Sequence, residues 1–108
     1  MPTPHHPSAA ALKALKKLGG DLHNARRRRR LPMSVLAERS FTSRSTLQRI
    51  EAGDPAVSIG IYTAVLHALG LLDGLGQLAD PARDSVGQAL ANESLPKRIH
   101  LKTAKKRS

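Results

Sequence analysis

The chain has 108 residues, a formal net charge of +10, a pI near 11.2 and 0 Cys. This length fits one domain with a modest core, and the cysteine count excludes a disulfide framework or a thiolate metal centre. The basic side chains are unevenly placed, with 11 against 3 acidic in residues 1–53, 1 against 5 in residues 54–95 and 6 against 0 in residues 96–108, so an acidic partner is expected at the two ends: nucleic acid, an anionic surface or an acidic protein.

Residues 1–7, MPTPHHP, carry three prolines and no apolar periodicity, and disorder is expected there. His5 and His6 lack a third ligand at a suitable spacing, so no metal and no cofactor is expected. Ser8 can cap a helix whose Leu12, Leu15, Leu18 and Leu22 form one apolar stripe reaching to about Arg30. Gly19 and Gly20 each cost such a helix about 1 kcal/mol relative to alanine, which predicts a break or bend. Arg26 to Arg30 span more than one helical turn and cannot share a face. As a solvated helix end they complement the negative end of the dipole, and Arg28, Arg29 and Arg30 are candidates for phosphate contact, with one of the run turned inward.

Leu31-Pro32 ends this helix and opens the next, proline being tolerated where its missing N–H has no partner to lose. From Met33 to Gly53, the apolar cluster Val35-Leu36-Ala37 and the pair Leu47 and Ile50 are separated by a polar stretch, Ser40 to Ser45, too short for a third element. That pattern predicts two helices joined by a tight turn, Met33 to Arg39 and Arg44 to Ala52, with Ser43 as cap and Gly53 as terminator. Leu47 and Ile50 share the inward face, which turns Arg44, Ser45, Gln48 and Arg49 outward. Two arginines suited to bidentate contact with guanine, beside Ser45 and Gln48 for other base edges, make this helix a candidate reader of the DNA major groove, with Ser43 and Thr46 nearer phosphate. Phe41 and Tyr62 are the only aromatic residues, so there is no stacking platform for single strands.

Asp54-Pro55 makes a turn, and Ser58 caps a fourth helix whose inward face is Ile59, Tyr62, Val65, Leu66 and Leu69. His67 has no nucleophile or acid spaced to work with it. Leu71, Leu72, Leu75 and Leu78, with Gly74 and Gly76 between them, predict a short helix with more apolar surface than this domain can cover, either a dimer interface or core beneath the first helix. Asp80-Pro81 opens a last weak helix carrying Ala82, Val86, Ala89 and Leu90 to about Ala91. Lys97 to Lys102 alternates in a way that admits a short strand, and KTAKKRS is a basic arm, solubilising or phosphate-binding. The expected plan is a disordered 1–7, a DNA-binding domain 8–79, an extension 80–95 and a basic tail 96–108. No apolar run reaches membrane-spanning length and no signal-peptide pattern opens the chain, so a cytoplasmic protein is expected.

Residues 21–72 resemble the XRE, or lambda repressor/Cro-like, helix-turn-helix family, and the stretch on to Arg98, with LHALGLLDGLGQLADP and LPKRI, is similar to its HipB-like antitoxin regulators. Ala37, Leu47 and Ile50 match the family's small and branched apolar positions. Met33 stands where the family has a phosphate-clamping Gln, leaving that role to the backbone N–H groups of the second helix, and Phe41 stands where it has a turn glycine. A Phe at positive φ costs about 1 kcal/mol or more, so either the turn takes another conformation or burial of the ring offsets the strain. The resemblance implies an all-α, five- to six-helix homodimer, an ion pair between Arg26 and Glu51, repression of its own operon and binding of a HipA-like kinase toxin. The rival expectation is a basic protein-binding module with weak DNA contact. An enzyme is not expected, since the sequence has no metal-ligand cluster, phosphate loop or evident carboxylate pair.

Overall fold

The first helix, α1 (Ala9–Arg28), begins where the Ser8 hydroxyl accepts a hydrogen bond from the Ala11 N–H at 3.1 Å. In the computed structural model, which describes residues 6–94, α1 runs through Gly19 and Gly20 as one unbroken helix, against the expected break. The reason lies in its partner. A Cβ on Gly19 would sit 2.6 Å from both the Gly53 nitrogen and the Ile50 oxygen, so the missing side chain lets the backbone of α1 rest on the end of a later helix. Gly20 faces open space, with nothing within 4 Å of the point where a methyl would stand.

Helix α2 (Met33–Arg39) starts after Pro32, α3 (Arg44–Glu51) is capped by Ser43, whose Oγ accepts from Thr46 N–H at 3.0 Å, and α4 (Ile59–Ala68) is capped by Ser58. The core joins all four: Leu22 of α1, Leu36 of α2, Leu47 and Ile50 of α3 and Val65 of α4 are fully buried. Each such side chain contributes roughly 1.5–3 kcal/mol of transfer free energy. Packing runs α1 on α3, α2 on α3 and α2 on α4, so α3 is held from two sides. Ile59, expected on the inward face of α4, is exposed, and Val57 in the preceding loop is buried instead. As the first residue after the cap, Ile59 lies beyond the part of α4 that faces its neighbours.

All four helices end alike. Leu31 N–H bonds Arg26 O at 3.1 Å, Thr42 N–H bonds Ala37 O at 3.0 Å, Asp54 N–H bonds Arg49 O at 3.0 Å, and Leu71 N–H bonds Leu66 O at 2.8 Å. This closure requires a left-handed residue just before the donor. Those residues are Arg30 (φ 54), Phe41 (φ 56), Gly53 (φ 75) and Gly70 (φ 78). Phe41 therefore takes the positive φ, yet its side chain is 94% exposed, so neither expected escape from the strain applies. The closing bond from Thr42 fixes the conformation, and the ring takes no part in the core.

The chain divides into two compact units, one ending at Asp73 and one starting at Gly74. Leu72–Gln77 form a 3-10 turn in place of the expected short helix, Gly74 and Gly76 lowering helical propensity within six residues. The single last helix expected from Pro81 is divided: Pro81–Arg83 form a 3-10 turn, and α5 (Ser85–Ser94) starts afresh after Asp84, whose Oδ1 accepts from Gly87 N–H at 2.8 Å. An Asp inside a helical pattern competes for backbone N–H groups and here makes a new start. Every described element is helical, which makes the fold all-α. The expected strand at 97–102, the basic tail 96–108 and residues 1–5 of the expected disordered end lie outside the described residues. No described helix is long and apolar enough to cross a membrane.

Candidate nucleic-acid interface

The amphipathic pattern of α3 decides what it can offer. Leu47 and Ile50 are fully buried, which anchors the helix along one side, while Arg44, Ser45, Gln48 and Arg49 are all exposed on the other. At its start the hydroxyls form a small cluster: Ser43 Oγ donates to Thr46 Oγ1 at 2.9 Å and lies 3.2 Å from Ser45 Oγ. Ser43 is exposed and Thr46 half-buried. Arg49 is not a free cation. Its Nε donates to Asp54 Oδ2 at 2.8 Å, which holds the guanidinium at its base. The hydrogen bond from Arg49 and the one from Ala56 N–H hold the Asp54 carboxyl below its ordinary range. Asp54 is itself fixed, its backbone oxygen accepting from the Tyr62 hydroxyl at 2.8 Å. Burial first, then the Asp54 charge, pushes that hydroxyl's pKa up.

Arg28, Arg29 and Arg30 are exposed at the end of α1, with Arg29 Nη1 folded back onto Ala25 O at 3.0 Å. Arg30 holds the left-handed position between α1 and α2. The exposed surface of the α2–α3 pair thus combines an anchored helix, polar groups of both donor and acceptor type, and several cations. A family model described as a helix-turn-helix domain matches residues 17–78, more than half of the chain. The chain belongs to this helix-turn-helix family. No curated protein and no solved structure matches it. In helix-turn-helix domains the second helix of the pair is the one that lies in the major groove of DNA, with its N-terminal residues at base edges. In this chain that helix is α3, and Arg44 is its first residue.

The helix-turn-helix pair is tied to α1 by one carboxylate. Glu51 Oε2 accepts from Arg26 Nε at 2.7 Å and Oε1 from Arg26 Nη2 at 3.1 Å, while His23 Nδ1 lies 2.7 Å from Oε1. Arg26 Nη1 also donates to Leu31 O at 2.9 Å, so the same guanidinium fastens the connection into α2. The Arg26 and Glu51 side chains are only 11% and 7% exposed, and Arg26 is the inward member of the arginine run. Burial pushes the Glu51 carboxyl up, but the hydrogen bonds and charges of Arg26 and His23 outweigh it and hold its pKa below the ordinary 4.5. The apolar pattern of α1 does not single out His23. Its signal is the spacing of three from Arg26, which puts both on one face of the helix.

The four leucines expected at an interface differ in exposure: Leu72 and Leu75 are half-buried, whereas Leu71 and Leu78 are exposed, Leu78 at 78%. Val86 and Leu90 of α5 are exposed as well.

Proposed function

We propose that the protein binds double-stranded DNA sequence-specifically through α3 and acts as a dimeric transcriptional repressor. The observation that carries this reading is the two-sided character of α3: Leu47 and Ile50 fully buried, Arg44, Ser45, Gln48 and Arg49 exposed, within a helix-turn-helix domain. Arg44 and Arg49 read guanine edges, Arg49 with its orientation set by Asp54, and Ser45 and Gln48 contact neighbouring bases. Ser43, Thr46, Arg28, Arg29 and Arg30 contact phosphate and supply the salt-dependent grip. The second copy is held through Leu71, Leu72, Leu75 and Leu78, two of which leave a large apolar side chain in water in a single chain. The resemblance of residues 21–98 to XRE regulators of the HipB-like kind supports a finer reading, an antitoxin that represses its own operon and binds a HipA-like kinase toxin.

The test is binding to the protein's own promoter and to random duplex of equal length. Arg44→Ala should cost about 1–3 kcal/mol on the promoter site and much less on random DNA, so that specificity falls. Equal weakening on both DNAs would remove α3 as the reader and leave a basic protein-binding module. Co-purification with the product of an adjacent kinase-like reading frame tests the toxin partner.

A further inference from the structure

Phe41 sits in the turn between α2 and α3 at φ 56 with its side chain 94% exposed. A left-handed backbone costs any residue with a Cβ conformational free energy, and a phenyl ring in water costs more. The bond from Thr42 N–H to Ala37 O holds the backbone in that conformation, but nothing inside the first unit covers the ring. The chain has glycine at two of its four equivalent helix ends, and at Gly70 it uses glycine although a side chain there would meet open space. Lack of room explains the glycine at position 53 but not the one at position 70, where the left-handed φ alone favours it. A strained, fully exposed side chain is expected at positions where something other than folding uses it.

We propose that Phe41 is an apolar specificity residue whose ring packs against thymine methyl groups in the major groove beside the contacts of Arg44. The proposal rests on the reading of α3 as the DNA reader. Phe41 precedes Arg44 by three residues, a chain length of at most about 10 Å, which is about three base-pair steps. The residues flanking it are Arg39, exposed and two before, Arg44, exposed and three after, and one opposing carboxylate, Glu38, exposed and three before. An exposed ring with an exposed arginine two residues before it and another three residues after it, next to a groove-reading helix, suits a polyanion that also presents methyl groups, and thymine is the base that carries one there. Arg30, the other left-handed residue with a side chain, brackets α2 at its opposite end and is exposed too. Both strained positions thus flank α2, whereas glycine holds the left-handed position after α3 and after α4.

The experiment uses the full chain and a duplex that the unmodified protein selects from a random pool, prepared once with thymine and once with deoxyuridine, which lacks only the methyl. Phe41→Gly should melt at the same or a higher temperature than the parent, because glycine relieves the strain. It should bind the thymine duplex several-fold more weakly, roughly four-fold for each methyl group that the ring no longer covers. The parent should lose a similar factor on the deoxyuridine duplex, whereas Phe41→Gly should lose little more there. The slope of log affinity against log salt should stay the same, since the ring displaces no counterion. A Phe41→Gly protein that binds the thymine duplex as tightly as the parent, that discriminates the two duplexes equally well, or that melts at a lower temperature would each overturn the proposal. Arg44→Ala is measured alongside: specific loss in that variant without loss in Phe41→Gly removes the role of Phe41 alone, whereas failure of the parent to select any sequence removes the reading of α3 and this inference with it.

Discussion

Gly19 and Gly20 are adjacent and chemically identical, and their surroundings give them opposite weights. A methyl at position 19 would meet the backbone of Gly53 and Ile50 at 2.6 Å, atoms that cannot swing aside, whereas a methyl at position 20 would meet nothing. Gly19→Ala should therefore destabilise the fold by about 1–3 kcal/mol, the usual cost of overpacking. Gly20→Ala should stabilise it by about 0.5–1 kcal/mol through helical propensity and reduced freedom of the unfolded chain. Urea denaturation of the two variants checks both signs, and a Gly19→Ala protein as stable as the parent would mean that α1 does not touch α3 through its backbone. The sequence cannot separate these residues, because propensity is a property of the residue and close approach is a property of a surface far along the chain. Phe41 is a similar case. Its strain at positive φ is legible from the motif, but its exposure is not, since an isolated Phe in a polar turn carries no sign of whether neighbours cover it.

The helices themselves are far more legible than their seams. Ser8, Ser43 and Ser58 each act within three residues of their own position, so local sequence suffices to place α1, α3 and α4. The division of the last helix at Asp84 and the 3-10 form of Leu72–Gln77 depend on small differences between competing local bonds, which pattern alone does not weigh. Between elements, the bond network around Glu51 carries a pH signature. Its folded pKa lies below the ordinary 4.5, so the unfolded chain binds that proton more tightly. The contribution of Glu51 is therefore fully present above about pH 4.5 and is lost as pH falls through the lower folded value. Glu51→Gln should flatten this part of the acid limb of stability. At neutral pH it should cost on the order of 3 kcal/mol, because Arg26 is left half-paired at 11% exposure. Thermal melts from pH 3 to 7 on parent and variant measure both effects, and parallel curves would show that Glu51 does not link α1 to α3 energetically.

For the whole molecule, the all-α architecture follows from the apolar periodicity of four segments, whereas assembly is a property of surfaces that no single-chain period encodes. Leu78, at 78% exposure, is the sharpest probe of the proposed dimer, since a charge there disturbs no core. The parent should sediment at twice the chain mass and Leu78→Asp as a monomer with weakened promoter binding; a parent that sediments as a monomer would remove the interface. The contact of Gly19 with Gly53 has a consequence at this scale too. With no side chain between them to compress or rotate, the backbone seam between α1 and α3 resists sliding, which would leave the proposed reading helix little slack with which to follow an imperfect groove. Adjustment then falls to the duplex, and base steps that kink or twist cheaply would favour binding at positions the protein never touches.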